Sequence, residues 1–334
     1  MIARMIGFFH RVALCALFAM APVAAIAQED ADVFRGRTMP YDAFDRLPAT
    51  RVLVGKTEIV VGFAPGAMEL PHSAVVEWVA TSVGTVSAYY GRFPVDSVRV
   101  LIVPGEGNRV RSGTAFAYRG AALRIVVGRD ATPASLAGDW IIVHELTHLA
   151  FPDVARAHHW IEEGLASYIE PVARAQVGKL APADVWRQFV DGMPKGLPAA
   201  GDRGLDHTPT WGRTYWGGAL FCLLAEVEIR ERTDNRFGLQ DAVRAIVRAG
   251  GNMEASWPVT RAFEIGDTAV GVPVLIGLYE RMKATPTEVD LPQLWGRLGI
   301  NVTGNTVVFD DSAPLASIRR AITMRPAPVA KNSF

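Results

Sequence analysis

Two hydrophobic periods divide this chain. Between residues 51 and 127, apolar residues gather in short β-branched runs at 51–55, 57–61, 98–103, 113–118 and 123–127. Runs of this length, bounded by Gly, Pro and Lys, predict strands. Among them, Val75, Val76, Val79, Val83 and Val86 recur at helical spacing and predict a helix over 73–90 with one apolar face. The runs 113–118 and 123–127 flank Gly120 and predict a hairpin. From residue 134 the period becomes helical. Helices are predicted over 134–150, 160–174, 183–191, 213–233, 238–249, 256–263, 273–283, 291–298 and 314–322, with a late strand at 306–309. Residues 28–50, with Pro40 and Pro48, read as a leader or a surface strand. Gly192, Pro194, Gly196 and Pro198 make 192–210 a long irregular loop, placed over the cleft as a lid. The fold class is α+β: an N-terminal mixed β-sheet lobe at 28–132, then helices at 133–325.

The ends carry different signals. Arg4 and Arg11 precede an apolar core at 12–21, and Ala25-Ile26-Ala27 is a small-residue cleavage site. This predicts a signal peptide over 1–27, cut near Ala27, and a secreted or periplasmic protein. The apolar run is too short for a stable membrane span once the signal is cut. Residues 326–334 are expected to be a disordered tail. Of the two cysteines, Cys15 leaves with the signal, and Cys222 lies in an apolar helical pattern. No internal disulfide is then possible, so the folded chain depends on its core. With 34 basic and 34 acidic residues, the chain offers no global field for nucleic acid or anionic lipid.

The candidate chemistry sits in the predicted helix 134–150, as His144-Glu145-Leu146-Thr147-His148. Histidines four apart share a helix face and can take two corners of a zinc tetrahedron. Glu145 lies beside them, placed to take a proton from the attacking water. Ile141, Ile142, Val143, Leu146 and Leu149 predict a buried helix, where such a cluster is costly unless satisfied. The metzincin spacing would need glycine at 151 and histidine at 154; Phe151 and Val154 exclude it. The third ligand is then a glutamate from the next helix, and Glu163 is preferred over Glu162, which is one position off the face. His158 and His159 compete from the connector, where they read as rim residues. One Zn2+ per chain is expected.

His144 to His148, followed by Trp160-Ile161-Glu162-Glu163-Gly164-Leu165-Ala166-Ser167-Tyr168, resembles the gluzincin zinc metallopeptidases. Residues 215–233 resemble the helix after the zinc site in the glycyl aminopeptidase family. The stretch between His148 and Glu163 is shorter than in that family, and no residues match the PDZ domain often found there. The resemblance implies a zincin-like two-lobe domain with its site in the groove between lobes. It implies a peptide or protein substrate, hydrolysed with Glu145 as general base. It assigns Tyr215 as oxyanion donor, with Tyr168 as the rival, and 112–118 as the edge strand that pairs with substrate backbone. Residues 66–70 look like the exopeptidase motif of other gluzincins, with Glu69 as its acid, but the asparagine is missing and the place is far upstream. Since 112–118 carries no acid to hold a free amine, cleavage of internal bonds is expected. The alternative is an exported zinc-binding scaffold or chaperone of the same fold without peptidase activity.

Overall fold

Alternation along the strands builds a sheet with two buried faces. The computed structural model describes residues 33–34 and 36–324; the expected signal peptide 1–27 and tail 326–334 lie outside the described residues. The first lobe runs α1 (Tyr41–Phe44), β1 (Ala49–Val54), β2 (Thr57–Phe63), α2 (His72–Tyr90), β3 (Ser97–Gly105), β4 (Val110–Phe116) and β5 (Ala122–Gly128). The sheet order is β1-β2-β3-β5-β4. The β2/β3 and β3/β5 pairs are parallel, and the outer pairs β1/β2 and β4/β5 are antiparallel. The strand predicted to pair with substrate is thus a sheet edge. Ile59, Val61, Val98, Val100, Ile102, Leu123, Ile125 and Val127 enter the main core with α2. Val60, Leu101, Val103 and Ala122 point to the opposite face.

That opposite face corrects the expectation for 28–50. Phe34, Met39, Tyr41 and Phe44 are buried against it, and α1 belongs to this layer. The parallel centre of the sheet is apolar on both sides and must be covered on both.

The second lobe runs α3 (Pro133–Ala137), α4 (Ile141–His148), α5 (His159–Gln176), α6 (Pro182–Gly192), a π-helical turn (Gly212–Gly217) and α7 (Gly218–Arg232). Then come α8 (Leu239–Arg248), α9 (Val259–Val270), α10 (Val274–Met282), α11 (Leu291–Leu298), the hairpin β6 (Ile300–Thr303) and β7 (Thr306–Phe309), and α12 (Ala316–Thr323). The single helix predicted over 134–150 is two. A Thr132/Ser135 capping box starts α3. After Gly138, the Asp139 carboxylate accepts a bond from the Ile142 amide at 3.1 Å. Aspartate satisfies a free helix-start amide better than it continues a helix, so it begins α4 afresh.

The 192–210 segment is a strap rather than a lid. It starts as a 3-10 turn, Met193–Gly196. Asp202 pairs with the buried Arg213 at 2.7 Å. Asp206 accepts from the Trp160 indole at 2.7 Å and contacts His158 at 3.0 Å. The Leu205 and Asp206 amides bond to Met282 and Lys283 carbonyls. These bonds supply the order that its glycines and prolines do not. No helix among the described residues is long and apolar enough to cross a membrane.

Helices α5 and α7 touch backbone to backbone. A Cβ on Gly164 would lie 2.3 Å from the Gly218 carbonyl carbon, and one on Gly218 would lie 2.1 Å from the Trp160 oxygen. Gly218→Ala therefore forces the helices apart. It should cost about 1–3 kcal/mol or more, the range for overpacking a rigid contact. Urea unfolding reads it, with Gly277→Ala, which has open space around it, as the control.

Candidate active site

Helix α4 lies against the inner side of the sheet edge and presents His144 and His148 on one face. Their rings are 4.9 Å apart and nearly perpendicular. Glu163, in the first turns of α5, turns Oε2 toward both, 3.2 Å from His144 Nε2 and 3.6 Å from His148 Nε2. One donor atom from each of the three lies within 4.8 Å of the others. Donors around a tetrahedral zinc at 2.0–2.1 Å stand about 3.3 Å apart, so the group has the size and donor set for that ion. Burial, aided by the nearby His144 charge, lowers the His148 imidazole to about 4. Burial pushes the Glu163 carboxyl up, but hydrogen bonds from His144 and His159 and the histidine charges outweigh it and hold it well below the usual carboxylate range. Neutral imidazole and ionised carboxylate are the metal-binding forms.

The competing residues are sorted by their partners. His158 is taken by Asp206. Glu162 turns to His159 Nδ1 at 3.0 Å. His159 does more than line the rim: its Nε2 lies 3.4 Å from Glu163 Oε1, the carboxylate oxygen turned away from the two histidines. Bonds donated to Glu162 and Glu163 push His159 up to about 10. A partner that orients a ligand carboxylate commonly sets metal affinity. His159→Ala should weaken zinc binding by about 10–100-fold in a chelator competition, the loss usual for such partners. His158→Ala should not.

Glu145 lies where α4 meets β4. A Cβ on Gly113 would come within 2.4 Å of Glu145 Cγ, so only glycine lets the edge strand pass this close. Burial pushes the Glu145 carboxyl up to about 7 and Glu163 adds to this, against the lowering by His144 and a bond from the Ala115 backbone. That value suits a proton acceptor working near neutral pH.

Tyr215 reaches the group from the π-helical turn. Its ring stacks on His144 at 6.3 Å and 15°. Burial first, then the charge and hydrogen bond of Glu163, push its phenol up to about 12. Short π-helical segments recur at functional sites because the extra residue re-aims a side chain. The rival, Tyr168, is fully buried, stacked on Phe189 at 5.3 Å, and its hydroxyl has no hydrogen-bond partner among the described residues. It belongs to the core. Glu69 is exposed on a loop whose amide bonds to Arg129, and it is not part of the histidine–glutamate group.

No family model matches the chain, and no curated protein matches it. Among solved structures, the chain is similar to an aminopeptidase N family protein from Idiomarina loihiensis, with 13% identity and a TM-score of 0.56, covering 77% of this chain and 50% of that one. The likeness is one of fold. An M1 zinc metallopeptidase from Deinococcus radiodurans also matches, at 17% identity and a TM-score of 0.48, covering 73% of this chain and 52% of that one. The chain spans about half the length of these structures. In this fold a mixed sheet leads into the helix bearing His144 and His148, and a helical lobe follows.

Sequence reasoning did not single out Gly113 or Asp139 as parts of the site, and took His159 only as a competing ligand or rim residue. A glycine inside a strand pattern does signal close backbone approach. An aspartate three residues before an apolar helical position signals a cap. The reach of His159 back to Glu163 carries no signal beyond its i, i+4 spacing.

Proposed function

We propose that the protein is an exported zinc-dependent peptidase. In this reading His144, His148 and Glu163 hold one zinc ion per chain, Glu145 is the general base, and Tyr215 is the oxyanion donor. The observation that carries the reading is the gathering of His144, His148 and Glu163, with Tyr215 stacked on His144 and Glu145 against the edge strand β4. Zinc, when bound, supplies a Lewis acid that polarises the scissile carbonyl and activates water. Glu145 accepts the proton of the attacking water and returns it to the leaving amine. The Tyr215 hydroxyl donates to the carbonyl oxygen as it becomes negative. His159 holds Glu163 in orientation, and the free side of β4 pairs with an extended substrate. Export is supported by Arg4, Arg11, the apolar core at 12–21 and Ala25-Ile26-Ala27.

Cleavage of internal bonds is favoured by the same edge. Strand β4 reads Val-Arg-Ser-Gly-Thr-Ala-Phe and carries no acid to hold a substrate's free amine. A peptide library incubated with and without chelator tests the peptidase reading. Chelator-sensitive cleavage is expected; zinc binding without any cleavage would instead favour the scaffold or chaperone. Comparing one cleaved peptide with its N-acetylated form tests the bond preference. The acetylated peptide should be cut at the same bond, whereas trimming of only the free form from its N-terminus would make the enzyme an aminopeptidase.

A further inference from the structure

Two tryptophans stand open to solvent beside the histidine–glutamate group. Trp140 is 52% exposed and Trp211 is 61% exposed, whereas Trp160, Trp186 and Trp295 are buried. Single exposed apolar residues are ordinary on a protein surface, but two large indoles converging on one site are not. Trp140 precedes α4 and meets the His144 ring edge-on at 5.5 Å. Trp211 precedes the π-helical turn and stacks on Tyr215 at 6.0 Å. Since Tyr215 stacks on His144, four rings form one arc with the two exposed indoles at its ends.

The backbone holds both indoles in place. The break at Gly138 and the Asp139 cap start α4 directly behind Trp140. Behind Trp211, the buried Arg213 is anchored by Asp202 and by the Gly196 carbonyl. Each ring therefore offers a broad apolar face whose position costs little further ordering when a ligand covers it. Steps of 5.5, 6.3 and 6.0 Å between ring centres make an arc no longer than about five residues of extended chain at about 3.3 Å per residue. A bound peptide of about that length is long enough to touch both indoles at once.

We propose that Trp140 and Trp211 are specificity-determining contacts that select peptides with large apolar or aromatic side chains near the scissile bond, a proposal that rests on the peptidase reading above. Such contacts exist in both the bound substrate and the transition state, so they act on KM rather than kcat.

The test uses two N-acetylated peptides differing only in these flanking residues, one with Phe and Leu and one with Ala. The parent protein should cleave the Phe/Leu peptide with a kcat/KM higher by about tenfold or more, the scale of a filled apolar subsite. Trp140→Ala and Trp211→Ala should each lower that advantage through KM, and together abolish it, while the Ala peptide is cut nearly as before. Equal losses on both peptides, or a fall confined to kcat, would mean that the indoles only brace His144 and Tyr215, and would overturn the proposal. Binding of the same peptides to the zinc-loaded Glu145→Gln protein, read by calorimetry, gives a second readout that needs no cleavage. If the parent cuts nothing, the peptidase reading falls, yet the Phe/Leu peptide should still bind more tightly and lose that preference in the tryptophan variants. Equal binding of both peptides, or an indole emission shift with phosphatidylcholine/phosphatidylglycerol vesicles but with neither peptide, would overturn the proposal.

Discussion

Glu145→Gln is expected to keep zinc and lower kcat by about 10²–10⁴, the usual contribution of a positioned general base. The substitution preserves the shape of the side chain and removes only its ability to take a proton. His144, His148 and Glu163 are untouched, so metal content by atomic absorption should match the parent. Gly113→Ala attacks the same group from the sheet side. Its added methyl would meet Glu145 Cγ, with Ile125 and Ile141 close behind, so Glu145 must leave its place while the histidine–glutamate group stays. A parent-like rate in Glu145→Gln would remove Glu145 from the mechanism.

Tyr215→Phe is expected to lower kcat by about 10²–10³, the loss typical of one oxyanion donor. KM should change little, because the bond forms mainly as negative charge develops. Stacking on His144 survives in phenylalanine, so zinc affinity should hold and separate a lost donor from a disturbed metal group. Tyr168→Phe removes a buried hydroxyl that has no partner among the described residues, and should leave kcat unchanged. A loss in Tyr168→Phe with none in Tyr215→Phe would reverse the roles.

Much of the site was legible because its residues are near in sequence. His144, Glu145 and His148 need only helical periodicity to fall where they do, and Glu163 lies one short turn later. The rejection of Tyr168 is different in kind. Sequence named it only as the rival to Tyr215, and its packing on Phe189 comes from α6, which no local pattern assigns to it. The strap at 192–210 failed for the same reason. Its composition argues for irregular backbone and says nothing of the bonds to Arg213, Trp160, Met282 and Lys283 that hold it down.

The sequence by itself determined the α+β order, the helical face carrying the two histidines, the glutamate on the following helix and the edge strand before them. Each follows from a period of two or 3.6 residues, and such periods act over a few turns of chain. Only the tertiary structure decided where the sheet edge meets Glu145, how Tyr215 comes over His144, and why α5 and α7 can cross at Gly164 and Gly218. Those arrangements depend on which backbones approach within a side chain's width, and that is a property of elements packed together rather than of any one of them.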